Sequence, residues 1–307
     1  MVAERITVGV HALDHVLLPR AAVGRGWAHR LADEHASLAA GAEAVDMVLD
    51  VTDDGLALAE AAVLPGAIHQ AGLRVTIEPV VGRAGLFLLR IGSKPVAVAG
   101  VWGEEAPSPW LGSEGGRGIA AYVAGTLIDT PDGPRPVEDL APGDAVTTLA
   151  NGSPPLRWVG RRRVSVLELL AHPELRPVRF EAGVVGNARP LMVSAQQRML
   201  IDDWRAEVYF GEDRVLVAAQ ALVDDRTARV VLPTEGVDYL ILLCDRHEVL
   251  LAEGALSESF HPGEMGLSAL TPAERAEIEA LVPESELLRR RAAFPIVRNA
   301  EARALRL

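Results

Sequence analysis

The side chains able to do chemistry are few and easily named. Cys244 is the single thiol in 307 residues, so any cysteine nucleophile must be that residue, and neither an internal disulfide nor a cysteine-rich zinc site is available. It ends the apolar run Tyr239–Cys244 (YLILLC), where a lone cysteine reads as a small buried hydrophobe. Two groups have the residue types of a metal site: His11, Asp14 and His15, and His29, Asp33, Glu34 and His35. The first group reads as strand or loop, where residues i and i+4 lie about 13 Å apart. In the second, Asp33 can share a helix face with His29, but no third imidazole is near, so solvated polar residues are expected and no metal. Gly112–Gly118 is glycine-rich but lacks the G-x-x-x-x-G-K-[ST] pattern and a flanking βαβ unit, so no nucleotide cofactor is expected. The triplet Arg161-Arg162-Arg163 reads as a solvated strand edge that discourages aggregation and is able to meet an acidic partner.

The elements that must carry these residues are mostly strands. Residues 5–18 suggest one strand or a strand pair ending at Pro19, and Gly26–Ala44 places Trp27, Leu31 and Leu38 on one helical face. Val45–Val51, Leu73–Val81, Gly85–Ile91 and Pro95–Trp102 are short β-branched runs separated by Asp53-Asp54-Gly55, Gly82-Arg83 and Gly92-Ser93. Residues 106–119 read as a linker rich in Gly, Pro and Ser. Strands then continue to about Gly263. The tail turns helical: Thr271-Pro272-Ala273-Glu274 fits an N-cap, a proline at the first helical position and a capping glutamate. Helices are expected at 272–281 and 284–292, with a turn or two near 299–306. The organisation is therefore a β-rich domain of unknown role (1–105), a linker (106–119), a second β domain (120–265) and a helical tail (266–307).

From Ala121 onward the chain reads AYVAGTLIDTPDGPRPVEDLAPGDAVTTLANGSPPLRWVGRR. Gly125-Thr126 with Ile128 and Thr130, Val137-Glu138-Asp139-Leu140, Pro142-Gly143-Asp144 and Trp158-Val159-Gly160 follow in order. Later come Val193-Ser194-Ala195-Gln196-Gln197-Arg198-Met199-Leu200, Cys244-Asp245-Arg246-His247-Glu248 and Ser257-Glu258-Ser259-Phe260. Over roughly 121–263 this resembles the Hint superfamily, the self-cleaving module of Hedgehog proteins and inteins, and more narrowly the bacterial Hint-type domains. The resemblance implies a mainly β protein whose second domain is an all-β, curved, horseshoe-like Hint fold. It also implies a variable partner domain beside the module, so that function can reside in residues 1–105.

The family chemistry needs a cysteine at the first residue of the module, a Ser/Thr and a His three residues apart on a later strand, and a histidine near the end. The matching positions here are Ala121, Ser194, Gln197 and His247. A methyl group cannot attack a carbonyl. Glutamine donates hydrogen bonds but has no proton to exchange near neutral pH. The expectation is a catalytically degenerate module, whether by natural loss or by deliberate substitution, acting as a binding or structural component. The alternative is self-cleavage near Ala120–Ala121 through Cys244 or Ser194, although Cys244 falls several positions after the residue that rescued inteins use.

Composition bounds the partners. Thirty Lys and Arg against 42 Asp and Glu give a formal charge of −12, which repels nucleic-acid backbones and anionic lipid surfaces. Neither is an expected partner; another protein or a larger assembly is. Half the residues (49%) are hydrophobic, yet no stretch approaches eighteen uninterrupted apolar residues, so no membrane span is expected. The first ten residues carry acid and base with no apolar leader, leaving a cytoplasmic location or leaderless export into a particle. Lys94 is the one lysine in an arginine- and alanine-rich chain, a bias attributable to GC-rich coding.

Overall fold

The structure is a computed structural model, describing residues 4–18, 27–31, 36–52, 55–64, 67–80, 83, 85–100, 118–262, 264–282, 291–302 and 305. The chain divides into two compact units: Met1–Leu111 with Ser165–Ala171, and Gly112–Val164 with His172–Leu307. Residues 106–117 of the expected linker, Asp33, Glu34 and His35, and 284–290 of the expected second tail helix lie outside the described residues, as does the side chain of His29. Among the described residues no helix is long and apolar enough to cross a membrane.

In the first unit the strands are β1 (Glu4–Ala12), β2 (Val16–Leu17), β3 (Ser37–Leu38), β4 (Val45–Thr52), β5 (Gly55–Leu58), β6 (Ala62–Leu64), β7 (Ala67–His69), β8 (Arg74–Pro79), β9 (Leu86–Ile91) and β10 (Lys94–Gly100). Six of them close an antiparallel barrel in the order β1-β10-β9-β8-β5-β4. Alternation along β1 buries Ile6, Val8, Val10 and Ala12 while Arg5 and Thr7 face out. Strand β9 (LFLLRI) is buried on both faces, because Leu86 and Leu88 pack outward against Leu13, Val16 and Leu31. That second layer explains why its sequence runs apolar without alternating.

Two expectations change here. Among the described residues helix α1 covers Trp27–Leu31, and Leu38 stands instead on β3, paired with Val16 of β2. Trp27, Leu31 and Leu38 do converge on one apolar cluster, but a strand delivers the third. Likewise the chain from His11 to His15 is not extended: after Ala12 it tightens into a 3₁₀ turn, Leu13–His15. Helix α2 (Val166–Ala171) also belongs to this unit.

The second unit carries β11 (Tyr122–Val123), β12 (Leu127–Thr130), β13 (Gly133–Pro136), β14 (Leu156–Val164), β15 (Val178–Phe180), β16 (Leu191–Val193), β17 (Arg198–Asp202), β18 (Arg214–Ala218), β19 (Ala228–Val230), β20 (Val237–Cys244), β21 (Val249–Ala252) and β22 (Ala255–Glu258). They form two antiparallel six-stranded sheets, β14-β20-β11-β16-β15-β19 and β13-β12-β21-β22-β17-β18. One core joins them, built on Tyr122, Val178, Phe180, Val193, Leu240 and Leu242 among others. The turn at Pro142-Gly143-Asp144 needs glycine, since Gly143 has φ 99°. Val137–Asp139 is the short helical turn expected there.

Strand β14 changes which face it presents. A bulge between Leu156 and Trp158 leaves Leu156 in the core opposite Cys244, while Trp158, Gly160 and Arg162 point to the other side of the sheet. The Trp158 ring lies across Gly160, where a Cβ would come within 2.1 Å of it, so only glycine fits. The same face receives α5 (Pro272–Leu281): Trp158 Nε1 donates to Glu277 (2.8 Å), and Arg162 donates to Glu274 and to the Ala269 carbonyl (3.1 Å). The arginine triplet is therefore only partly a solvated edge. Arg161 and Arg163 are exposed and pair with Asp238, whereas Arg162 is buried, as alternation on a half-covered edge strand requires.

Helix α5 begins with the expected capping box, Thr271 and Glu274 bonding each other's backbone. Glu274 does double service, capping α5 and neutralising Arg162. Burial raises its pKa, but the hydrogen bonds from Arg162 and the Thr271 backbone outweigh burial and lower it. The remaining α-helices among the described residues are α3 (Trp204–Phe210), α4 (Glu264–Ser268) and α6 (Asn299–Ala302); residues 291–292 are not helical.

Candidate functional site

Ala121 immediately precedes β11, which is held in the middle of its sheet between β16 and β20. The residue is 1% exposed. Ser194 immediately follows β16, and its N–H donates to the Ala121 carbonyl (2.9 Å). The Ser194 hydroxyl donates to the Ile119 carbonyl (2.6 Å) and accepts from the N–H groups of Ala121 (3.0 Å) and Gln197 (3.2 Å). A hydroxyl has one proton and two lone pairs, so Ser194 Oγ is fully used. It clips the chain beside Ala121, the position that the sequence resemblance matches to the family nucleophile.

Gln197 is buried and its amide turns away from that peptide. Nε2 donates to the Glu258 carbonyl (2.7 Å), the oxygen that also accepts from the Tyr122 hydroxyl (2.9 Å). Since a carbonyl only accepts, the Tyr122 proton lies there, and Ser257 Oγ, 2.8 Å away, donates to Tyr122. Burial pushes the Tyr122 phenol far above its ordinary pKa. The ring acts as a neutral hydrogen-bonding post.

The Glu258 carboxylate, fully buried, is the hub of the third part. Arg198 donates to it from its guanidinium (3.0 Å to each oxygen) and its backbone N–H (3.2 Å), and His247 Nε2 lies 3.0 Å from it. The Ala293 N–H donates to His247 Nδ1 (3.0 Å), which assigns the ring proton to Nε2 and aims it at Glu258. His247 stacks on His261 with 4.6 Å between ring centroids. Together these contacts tie the start of β21 to the end of β22. A cavity of about 290 Å³ opens beside His247, lined by Asn151, Asp245, Arg246, Glu248 and Arg291. Within it Glu248 accepts from Asn151 Nδ2 (3.0 and 2.9 Å).

The four family positions thus meet, though in two steps. Ala121, Ser194 and Gln197 are linked directly. His247 joins them only through Glu258, whose carbonyl binds Gln197 and whose carboxylate binds His247. Cys244 stays apart: it is fully buried opposite Leu156, and in the register that sets Tyr122 against Leu240 it stands three residues beyond the level of Ala121, about 10 Å along the strand. No group of three or more His, Cys, Asp or Glu among the described residues is arranged to hold a metal.

Sequence reasoning assigned no role to Tyr122, Arg198 or Glu258. The available signal was a cation opening the strand RMLID and a carboxylate closing ALSE, both inside apolar runs where an unpaired charge is costly.

Comparison with known proteins gives the geometry a family. Residues 120–264 match the family model of the Hint domain. No curated protein matches the chain. Among solved structures, a bacterial intein-like domain from Clostridium thermocellum is 15% identical, with a TM-score of 0.32 over 45% of this chain and 97% of that one. A splice-inactive variant of the AceL NrdHF class 3 split intein is 12% identical (TM-score 0.29, 46% and 97%). The gp41-1 intein is also 12% identical (0.26, 45% and 97%). Residues 120–264 are a Hint-type domain.

Proposed function

We propose that this Hint-type domain does not cleave itself and serves as a folded binding or structural component, with a protein partner or a larger assembly as its setting. In the family reaction the sulfur at the first position bonds to the preceding carbonyl carbon. The amide C–N bond then breaks and its nitrogen takes a proton from the histidine. What supports loss of that reaction is one arrangement: a buried methyl group stands at Ala121, and the Gln197 amide is spent on the Glu258 carbonyl rather than aimed at the Ala121 nitrogen. The hydroxyl beside that nitrogen accepts its N–H and so stabilises the intact amide. The Ser194 hydroxyl and the Gln197 amide are both engaged in holding the chain.

The test is intact mass after prolonged incubation with and without dithiothreitol. The chain is expected to remain whole in both. Fragments of roughly 120 and 187 residues would refute the proposal. Ala121→Cys with Gln197→His returns a nucleophile and an acid to positions already linked by hydrogen bonds, and is expected to give thiol-induced cleavage at this bond. A folded double variant that stays whole would mean that the site has diverged beyond two residues.

A further inference from the structure

Helix α3 leaves its best binding side chains in solvent. Trp204, Val208 and Tyr209 are 66%, 65% and 56% exposed on a helix of seven residues, Trp204 and Val208 on one face and Tyr209 on the flank beside Arg205. The opposite face is anchored: Ala206 is fully buried in the core and Phe210 packs against it. At 100° per residue, Ala206 and Phe210 fall on one side while Trp204 and Val208 fall diametrically opposite. The helix is fixed at both ends as well. Asp203 caps its start by accepting from the Arg205 N–H, and Gly211 closes it in the left-handed region. The exposed face is therefore held rigidly, so a ligand meets it without an ordering cost.

A cavity of about 560 Å³ lies directly beside Trp204, and its lining carries five carboxylates against one guanidinium. Asp202 and Asp203 line it but are paired with Arg214 and Arg205. Glu207, Glu212 and Asp213 line it too, and among the described residues they have no cationic partner. Arg214 is the one cation in the lining and is already committed to Asp202. A surface with unneutralised carboxylates flanking an exposed tryptophan matches a ligand that carries cations on either side of an apolar or aromatic side chain. Anionic lipid and nucleic acid are opposed by the same charges.

We infer that the Trp204–Val208 face of α3, with the flanking Tyr209 and the acidic cleft, is a docking surface for a basic amphipathic segment of a partner protein, one apolar anchor flanked by at least two Arg or Lys. It deepens the binding role proposed above, on which it rests only for context, because no atom of the surface belongs to the Ala121–Ser194–Gln197 site. Failure of one is readable apart from failure of the other: cleavage is scored by mass, docking by affinity.

The experiment selects a randomised 12-residue display library on the full-length protein, with counter-selection on the Trp204→Ser/Val208→Ser variant. Circular dichroism and thermal unfolding confirm that the variant folds, which two solvent-facing substitutions permit. Enriched peptides are expected to carry two or more Arg or Lys around an aromatic or aliphatic residue. Fluorescence anisotropy of the consensus peptide is then expected to weaken at least tenfold with Trp204→Ser. With Glu207→Gln/Glu212→Gln/Asp213→Asn it should weaken similarly and lose most of its salt dependence. No enrichment, enriched peptides without the basic-apolar pattern, or equal binding by the charge-neutral variant would each overturn the proposal. So would a concentration-dependent dimer in sedimentation velocity that Trp204→Ser abolishes, since the occupant would then be a second copy of this chain.

Discussion

Glu258→Gln isolates the charge at the centre of the second unit while keeping the side chain's shape. In the wild-type protein the carboxylate is fully buried and accepts four hydrogen bonds, three from Arg198 and one from His247. At 3.0 Å and an effective dielectric of about 20, one such ion pair has a gross Coulomb attraction of ~5.5 kcal/mol, most of which offsets the desolvation of both groups. The variant loses the attraction but keeps the desolvated guanidinium. It also aims an amide N–H at a cluster already made of donors. Removing one partner of a buried pair costs about 3–5 kcal/mol. For a cooperative unit of about 190 residues, that lowers the unfolding midpoint by roughly 6–15 °C. The assay is calorimetry of the full chain, which resolves the transition of the second unit from that of the barrel. Arg198→Met and the double variant complete a cycle, and the double variant is expected to be less destabilised than the sum of the singles. A loss below about 1 kcal/mol in Glu258→Gln, or strict additivity in the cycle, would refute the view that this pair is buried and coupled.

Other consequences follow from the same contacts. Gly160→Ala pushes a methyl into the Trp158 ring and is expected to cost about 1–3 kcal/mol in urea unfolding, with the loss reduced in a Trp158→Leu background. Cys244, fully buried, should react with a disulfide reagent such as Ellman's only as fast as the protein unfolds; rapid stoichiometric labelling of the native chain would contradict its placement. Stability should also depend on pH on the acid side. In Glu274 and Glu253 burial raises the pKa, but hydrogen bonds from Arg162 and Arg189 outweigh it, leaving both below the ordinary 4.5. Groups with a lowered folded pKa contribute stability that is complete above the unfolded value and is lost as pH falls through the folded one. Stability should therefore hold from pH 7 to about 5 and decline below about 4.5, with a shallower decline in Glu274→Gln.

What was legible in the sequence divides along physical lines. Strands with turn punctuation are visible from local chemistry alone, hence the agreement over β4, β8, β9 and β10 and the capping box of α5. The Hint-type domain was visible because its pieces keep their order over 140 residues. Other features depend on which faces become covered, and local periodicity does not say. Leu38 fits a helix with Trp27 and Leu31 yet lies on a strand, because the cluster it joins includes Val16, its partner on β2. Arg162 reads like its neighbours until α5 covers one face of β14. The hub at Glu258 was invisible for the same reason: its partners Arg198 and His247 are brought to it by long-range pairing of β17, β21 and β22.

The hydrogen bonds around Ala121 also show which of these positions the architecture itself demands. Ser194 Oγ satisfies the buried Ile119 carbonyl and Ala121 N–H, and shares the Gln197 N–H with the Ser194 carbonyl (3.1 Å). Gln197 and Tyr122 share the Glu258 carbonyl, locking β11 to the end of β22 across the two sheets. A hydroxyl at 194 is thus demanded by folding, since deleting it strands two buried backbone groups at about 1–3 kcal/mol each, whereas the Glu258 carbonyl keeps its bond from Tyr122 when the donor at 197 is lost. A nucleophile at 121 is demanded by nothing in this network: alanine fills the space and makes only backbone bonds. Substitution at 121 is therefore nearly free for stability, 194 is held to a hydroxyl, and 197 is the less constrained of the two polar positions. Ser194→Ala should accordingly destabilise the second unit more than Gln197→His does, and an order of effects reversed from this would show that the polar cluster is not what holds the segment.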